Sequence, residues 1–212
     1  QIYAVKDDDV RSSALGRRLH IANVDDVPGA ELLVTQHGHD GSRTNSGAIR
    51  IFSPVDLSEY AFEYAAAHGA NYSLFGDSGN DSFGYDVAVG RDDTGKALVA
   101  VGAVSDETGA EDQIINSGAV HLYAFDQEQG LMLERSVGGH AAGIHFGESV
   151  AIDSVSSADG VNRLLVTAAR DSELGPFVGR FFGIDPAAGV VTPLAFPGES
   201  SGQKFGSDLV FL

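Results

Sequence analysis

The stretch FGYDVAV, residues 83–89, decides the fold because it returns as FGESVAI at 146–152 and as FGSDLVF at 205–211. An earlier and weaker copy, LGRRLHI, occupies residues 15–21. The glycines of the four copies are spaced by 68, 63 and 59 residues. Such even spacing predicts a chain made of similar supersecondary units, each packed against its neighbours.

Each copy holds four short apolar runs separated by Gly, Asp, Ser and Asn. In the second copy the runs are FGYDVAVGR, ALVAVGAV, SGAVHLYAF and LMLERSV. Four short strands joined by turns are typical of one blade of a β-propeller. The sequence therefore predicts an all-β chain with units at about 15–82, 83–145 and 146–204, and with single strands of incomplete units at 1–14 and 205–212.

The fourth run of the first copy, YAFEYAAA at 60–67, is compatible with a helix because it is rich in Ala and Glu. However, Tyr60, Phe62 and Tyr64 alternate with smaller or polar residues at a period of two, which favours a strand. We predict an outer strand here. The second runs, such as LVAVGA, are apolar on both faces and predict strands that are covered on both sides.

The recurrent Phe-Gly pair has a structural explanation. The aromatic ring can fill the space between neighbouring units, where burial contributes about 1.5–3 kcal/mol. The glycine either lets another backbone approach closely or adopts a positive φ. The pair is therefore predicted to join the units rather than to carry chemistry.

The pair Phe83-Gly84, the run VGAV at 101–104 and the run SGAV at 117–120 resemble the FG-GAP repeat of the integrin α-subunit β-propeller and its bacterial relatives. No copy keeps the proline that ends the family's second strand. The resemblance implies an integrin α-like β-propeller, of which this chain holds about three complete four-stranded blades and partial terminal blades. It also implies that further residues of the same protein, or another chain, supply the remaining blades.

The family often binds calcium in an acidic loop between the first and second strands of a blade. By this resemblance the first copy offers ligands, whereas Lys96, Leu98 and Arg163 stand at unfavourable places in the later copies. A tight polar turn without metal is the alternative at every loop. The candidate calcium ligands are Asn23, Asp25, Asp26 and Glu31.

In the family topology, the loops that join strand two to strand three share one face with the loops that lead to the next blade, and partners bind there. Long loops on a rigid scaffold commonly carry binding function. Two histidines and an acid in the first such loop could also ligate a transition metal, although a solvated loop is the simpler interpretation. The candidate partner-binding residues are His37, His39, Asp40, Asp106, Glu107, Asp112, Asp171 and Glu173.

Thirty acidic residues against 13 basic ones give a formal charge of −17, which disfavours nucleic acid and anionic membranes as partners. There is no cysteine, and no apolar stretch is long enough to span a membrane. We find no catalytic constellation and expect no enzyme activity. The expected function is an extracellular or cell-surface adhesion module for a protein or glycan; the alternative is the propeller part of a secreted hydrolase or polysaccharide lyase.

Overall fold

The computed structural model describes most of the repeated core of the chain. Within the described residues it shows twelve strands in three four-stranded antiparallel sheets. The all-β prediction, with four strands in each unit, is therefore confirmed. The described residues are 14–25, 29–40, 43–52, 73–92, 94–107, 114–153, 163–173, 176–186, 189–194, 202 and 204–209.

The strands follow chain order within each sheet, so neighbouring strands are joined by direct connections. Sheet 1 contains β1 (Leu15–Ala22), β2 (Glu31–Gln36), β3 (Ala48–Phe52) and β4 (Leu74–Phe75). Sheet 2 contains β5 (Phe83–Arg91), β6 (Ala97–Ala103), β7 (Ala119–Asp126) and β8 (Gly130–Gly138). Sheet 3 contains β9 (Phe146–Asp153), β10 (Arg163–Ala168), β11 (Arg180–Ile184) and β12 (Val191–Pro193).

Two predictions about strand positions have different outcomes. The fourth strand of sheet 1 lies at Leu74–Phe75, where no strand was predicted, since the fourth strand of this unit was expected at 60–67. It pairs with β3 through Ala48 and Ile49, so this part of the prediction is wrong. The predicted strand at 60–67 and the predicted strand at 1–14 lie outside the described residues, apart from Ala14.

The segment 205–209 begins like the three first strands but forms turns and a bend. Its Phe205 amide donates to the Val178 carbonyl at 3.0 Å, and Gly206 has a φ of +85°. No described residue follows that could pair with it as a second strand. A fourth unit beginning at residue 205 therefore stays a prediction.

Two apolar cores lie between the sheets rather than within them. On β5, Val87 faces sheet 1 and packs with Leu33 and Ile49, whereas Ala88 faces sheet 3 and packs with Val150. Every residue of β6 is buried, as its apolar pattern predicted. The alternation of side chains along a strand thus gives sheet 2 two buried faces, one against each neighbouring sheet.

The Phe-Gly pairs join consecutive sheets. The ring of Phe83 is buried against sheet 1, and its amide donates to the Ser46 carbonyl at 3.1 Å. Phe146 repeats this arrangement between sheets 2 and 3, and its amide donates to the Ser117 carbonyl at 3.0 Å. The aromatic wedge predicted from the sequence is confirmed at both interfaces.

A polar network links the first strands of the copies. Four side chains that occupy one repeat position, two residues after the glycine, take part in it. Asp86 accepts hydrogen bonds from Ser149 Oγ at 2.8 Å and from the Val150 amide at 2.9 Å, and Arg18 Nε lies 3.4 Å from it. Arg18 also bonds Asp208 at 2.6 Å, so the first and fourth copies of the repeat are in direct contact.

Within the described residues there is no helix of the length and apolar character that a membrane crossing requires.

Candidate functional site

One edge of the three sheets carries a surface that we call the loop face. It is formed by the loops β2–β3, β6–β7 and β10–β11 and by the segments that lead from one sheet to the next. Backbone hydrogen bonds join these loops across each interface: Ser82 donates to the Asn45 carbonyl at 3.3 Å, and Lys204 donates to the Phe177 carbonyl at 2.9 Å. The loop face is therefore built on a fixed frame.

A groove of about 420 Å³ opens on the loop face where sheet 2 passes into sheet 3. One wall is the segment 140–144, and the other is part of the β10–β11 loop. Its lining combines an aromatic ring, Phe177, with the ionisable side chains His140, Arg170 and Glu173. A cavity of this size with a few polar groups is typical of a ligand site.

Phe177 is the most unusual residue of the groove. It has a φ of +52°, and its equivalents in the other two loops, Asn45 and Asn116, have φ values of +50° and +52°. Asn tolerates this left-handed conformation, whereas a bulky aromatic residue adopts it at a cost. The side chain of Phe177 is nevertheless 49% exposed, so burial does not repay this cost.

Asp171 lies beside two groove residues, His140 and Glu173, and is 1% exposed. Its Oδ1 accepts a hydrogen bond from the Glu173 amide at 2.9 Å, while His140 Nε2 lies 3.5 Å from its Oδ2. Arg180 Nη1 lies 3.8 Å from the same oxygen and hydrogen-bonds the Glu173 carboxylate. Two carboxylates, an imidazole and a guanidinium therefore lie within a few ångströms of one another.

The equivalent aspartate of sheet 2, Asp106, has a different environment. Its Oδ2 bonds His121 Nε2 at 2.7 Å, and His121 Nδ1 bonds Ser136 Oγ at 2.8 Å. Ser136 and His121 are direct cross-strand neighbours on β8 and β7. This chain of hydrogen bonds satisfies both ring nitrogens and holds the β6–β7 loop against the sheet.

Two groups near the loop face have strongly shifted pKa values. Burial, with the nearby charges of Asp106 and Asp77, raises the pKa of Asp81 to about 6. Burial, with the positive charges of Arg170 and Lys204, lowers the pKa of His145 to about 4. Burial is the largest cause of both shifts, so each residue is a titratable group enclosed near one of the two interfaces.

The predicted calcium loop is only partly described, because Asp26 lies outside the described residues. Asp25 and Glu31 are both buried, and burial together with the Asp25 charge raises the pKa of Glu31. A cation would relieve this repulsion. However, Arg91 Nη2 approaches Asn23 Oδ1 at 3.4 Å, and Glu31 Oε2 already accepts from the Val24 amide at 2.8 Å. Calcium binding here stays a prediction.

The structure separates the first three predicted partner-binding residues. His37 packs edge-on against Tyr85, His39 packs against Phe75, and Asp40 accepts a hydrogen bond from the Asn45 amide at 2.7 Å. Their polar groups therefore do not converge on one metal position.

The remaining predicted residues differ in accessibility. Glu107 and Glu173 are exposed, whereas Asp106 and Asp171 are buried. Asp112 lies outside the described residues. Burial makes Asp106 a structural residue of its loop, so it is not placed to meet a partner directly.

Three residues of the groove, His140, Arg170 and Phe177, were not singled out from the sequence, and neither was Arg180, which contacts Glu173. The signal that could have found them is the alignment of the copies on their Phe-Gly pairs. That alignment places Phe177 opposite Asn45 and Asn116, and so reveals an aromatic residue at a turn position.

No known protein family model matches the sequence, and no curated protein matches it.

Proposed function

We propose that this chain is part of an FG-GAP-type β-propeller whose loop face binds a partner, outside the cell or at its surface. In this proposal each sheet is one blade and β1, β5 and β9 are the innermost strands. Three features support it: the chain-order sheets, the Phe-Gly wedges between them and the polar contacts among the first strands. Each is what stacked blades require.

Further blades are part of the proposal. Leu19 and Ile21 on β1 are 65% and 72% exposed. Val87 and Val150, the residues equivalent to Leu19, are buried against the preceding sheet. A blade from the same protein or from another chain would cover β1 in the same way and remove this apolar surface from water.

The observation that carries the binding function is a set of exposed apolar side chains on the loop face. Phe75 and Phe177 are 45% and 49% exposed, and Ile115 is 65% exposed. They come from three different loops or strand ends, and charged side chains lie beside two of them: Glu173 lines the same groove as Phe177, and Arg50 lies over the Phe75 ring. Apolar anchors surrounded by a polar rim are typical of protein interfaces.

The preferred partner is therefore a protein with a basic contact surface. The formal charge of −17 would speed its association, and the apolar anchors would supply most of the affinity. A glycan is the second candidate, since the groove beside Phe177 combines an aromatic ring with charged groups. A polysaccharide ligand would also fit the alternative, in which the chain is the substrate-binding part of a secreted hydrolase or lyase.

The test is to probe an array of extracellular proteins and an array of glycans with the complete chain, and then with Phe177→Ser. We expect a protein ligand whose affinity falls at least about tenfold in the variant. Leu133→Ser is the matched control, because Leu133 is 53% exposed but lies on β8 away from the loop face. Binding that is absent, or equally reduced by both variants, contradicts the proposal. Retention on glycans alone selects the second candidate.

A further inference from the structure

A set of side chains with the geometry of a metal site lies at the groove on the loop face, two of them in its lining and one buried beside them. His140, Asp171 and Glu173 each offer one ligand atom, and these atoms all lie within 4.8 Å of one another. His140 Nε2 is 3.5 Å from Asp171 Oδ2 and 3.6 Å from Glu173 Oε2. The three residues come from two segments that the backbone frame holds together.

The state of Asp171 is a second and independent indication. The residue is 1% exposed, yet its Oδ2 accepts no hydrogen bond from any residue that the structure describes. The nearest nitrogens, on His140 and Arg180, are at 3.5 and 3.8 Å, beyond normal hydrogen-bond length. A buried carboxylate oxygen without a hydrogen bond is costly, and a bound cation would remove that cost.

We propose that His140, Asp171 and Glu173 bind a divalent transition-metal ion, with zinc as the best fit. Zinc ligands at about 2.1 Å in a tetrahedron lie about 3.4 Å from one another. The two distances from His140 Nε2 agree with this separation. One imidazole and two carboxylates are suitable zinc ligands, and three protein ligands leave a fourth position for water or for a bound molecule in the groove.

Arg180 is the competitor of the metal. Its guanidinium hydrogen-bonds Glu173 and so supplies the positive charge that the carboxylates need when no metal is bound. A metal ion must displace it from Glu173. Arg180 also lies 5.1 Å from the centroid of the Phe182 ring, so a favourable contact remains for it after displacement.

Because zinc and Arg180 compete for Glu173, removing a metal ligand should lower the zinc affinity, whereas removing Arg180 should raise it. The complete chain is freed of metal with a chelator and titrated with zinc chloride by calorimetry. We expect one site, at least tenfold weaker binding in His140→Ala and Glu173→Gln, and about tenfold tighter binding in Arg180→Met. Glu107→Gln removes an exposed carboxylate from the same face and serves as the matched control, with unchanged affinity. Calcium in large excess should not displace zinc, because calcium prefers oxygen ligands.

The zinc titration needs no partner molecule, so its result is independent of the proposed function. No zinc binding in the wild type and in Arg180→Met would overturn it. Binding that survives His140→Ala would place the metal elsewhere and would also overturn it. Weaker binding in Arg180→Met would contradict the competition on which the geometry depends. Since His140 is partly exposed, its removal should leave the fold intact, and circular dichroism of each variant checks this.

Discussion

Asp106 and Asp171 occupy the same position of the repeat and both are buried, yet a hydrogen bond closes off the Oδ2 of Asp106, whereas the Oδ2 of Asp171 is left open, without a hydrogen bond from any described residue. Each backbone carbonyl accepts from the glycine that begins the next strand, Gly118 at 3.0 Å and Gly179 at 3.1 Å. The side chains differ: Asp106 Oδ2 bonds His121 at 2.7 Å, whereas no described residue donates a hydrogen bond to Asp171 Oδ2. The repeat fixes the backbone of this position and leaves its side-chain environment free to change.

The reason for the difference lies on the neighbouring strand. The position of His121 on β7 is taken on β11 by Phe182, which cannot donate a hydrogen bond. Asp171 therefore turns to His140, from the preceding segment, and to Arg180. Because phenylalanine stands where sheet 2 has histidine, the Oδ2 of Asp171 lacks the hydrogen bond that the Oδ2 of Asp106 makes, and it is left open to a ligand.

The largest effect on stability should come from disrupting the backbone contacts that both aspartate loops make through the glycine after them. A Cβ on Gly118 would lie 2.2 Å from the Phe146 carbonyl oxygen, and the φ of Gly118 is +79°. We expect Gly118→Ala to lower the free energy of unfolding by about 3 kcal/mol, because it adds a clash between sheets to the strain of a left-handed alanine. Urea denaturation measures the change.

Gly143→Ala is the control for this prediction. Gly143 has a φ of +69°, but a Cβ there would meet no atom within 4 Å. Only the conformational strain remains, at about 1 kcal/mol. Equal losses for the two variants would show that the contact between the sheets contributes nothing.

The second prediction removes the two aspartate side chains in turn. Asp106→Ala leaves His121 buried without its partner, and we expect a loss of about 2–3 kcal/mol. Asp171→Ala loses one hydrogen bond from a backbone amide and relieves the burial of an oxygen that accepts none, so we expect about 1 kcal/mol or less. Urea midpoints at pH 7 compare them. If Asp171→Ala were the more destabilising, the contrast between a closed and an open position would be wrong.

The architecture could be predicted from the sequence because it depends on repeated local features. Three copies of one pattern place the strands, and the alternation of apolar residues on β5 and β9 identifies their buried faces. The short strand at Leu74–Phe75 was missed because two residues carry no period and only pairing with β3 defines them.

From the sequence, the candidate site could be predicted only as one face of the chain and not as a particular groove. The loops β6–β7 and β10–β11 were expected to share one side of the chain, and they do. The groove could not be predicted, because it depends on which side chain lies across each interface: His140 opposite Asp171, and Phe182 instead of a second histidine. Such contacts join residues that are about thirty to forty positions apart in the sequence, and no local pattern records them.

The smallest effect, and the finest test of the comparison, concerns Asp81 and His145, which belong to the first and the second interface. Between pH 4 and 6 the folded chain keeps a proton on Asp81, whose pKa is raised to about 6, while the unfolded chain, with a pKa of 3.8, loses it. Asp81 therefore makes the free energy of unfolding fall as the pH rises. His145 acts oppositely: its pKa is lowered to about 4, so below pH 6.5 the unfolded chain holds the proton and stability rises with pH.

Replacing either residue by asparagine should remove its contribution to the pH dependence of stability. Asn suits the left-handed φ of His145, and at position 81 it can still accept from the Ser78 amide. In thermal unfolding between pH 4 and 7, Asp81→Asn should make the melting temperature rise more steeply with pH than in the wild type, whereas His145→Asn should make it rise less steeply or fall. Slopes that change in the same direction in both variants would mean that folding does not raise the pKa of Asp81 and lower that of His145. The double variant should return close to the wild-type slope, because the two contributions cancel over the same range of pH.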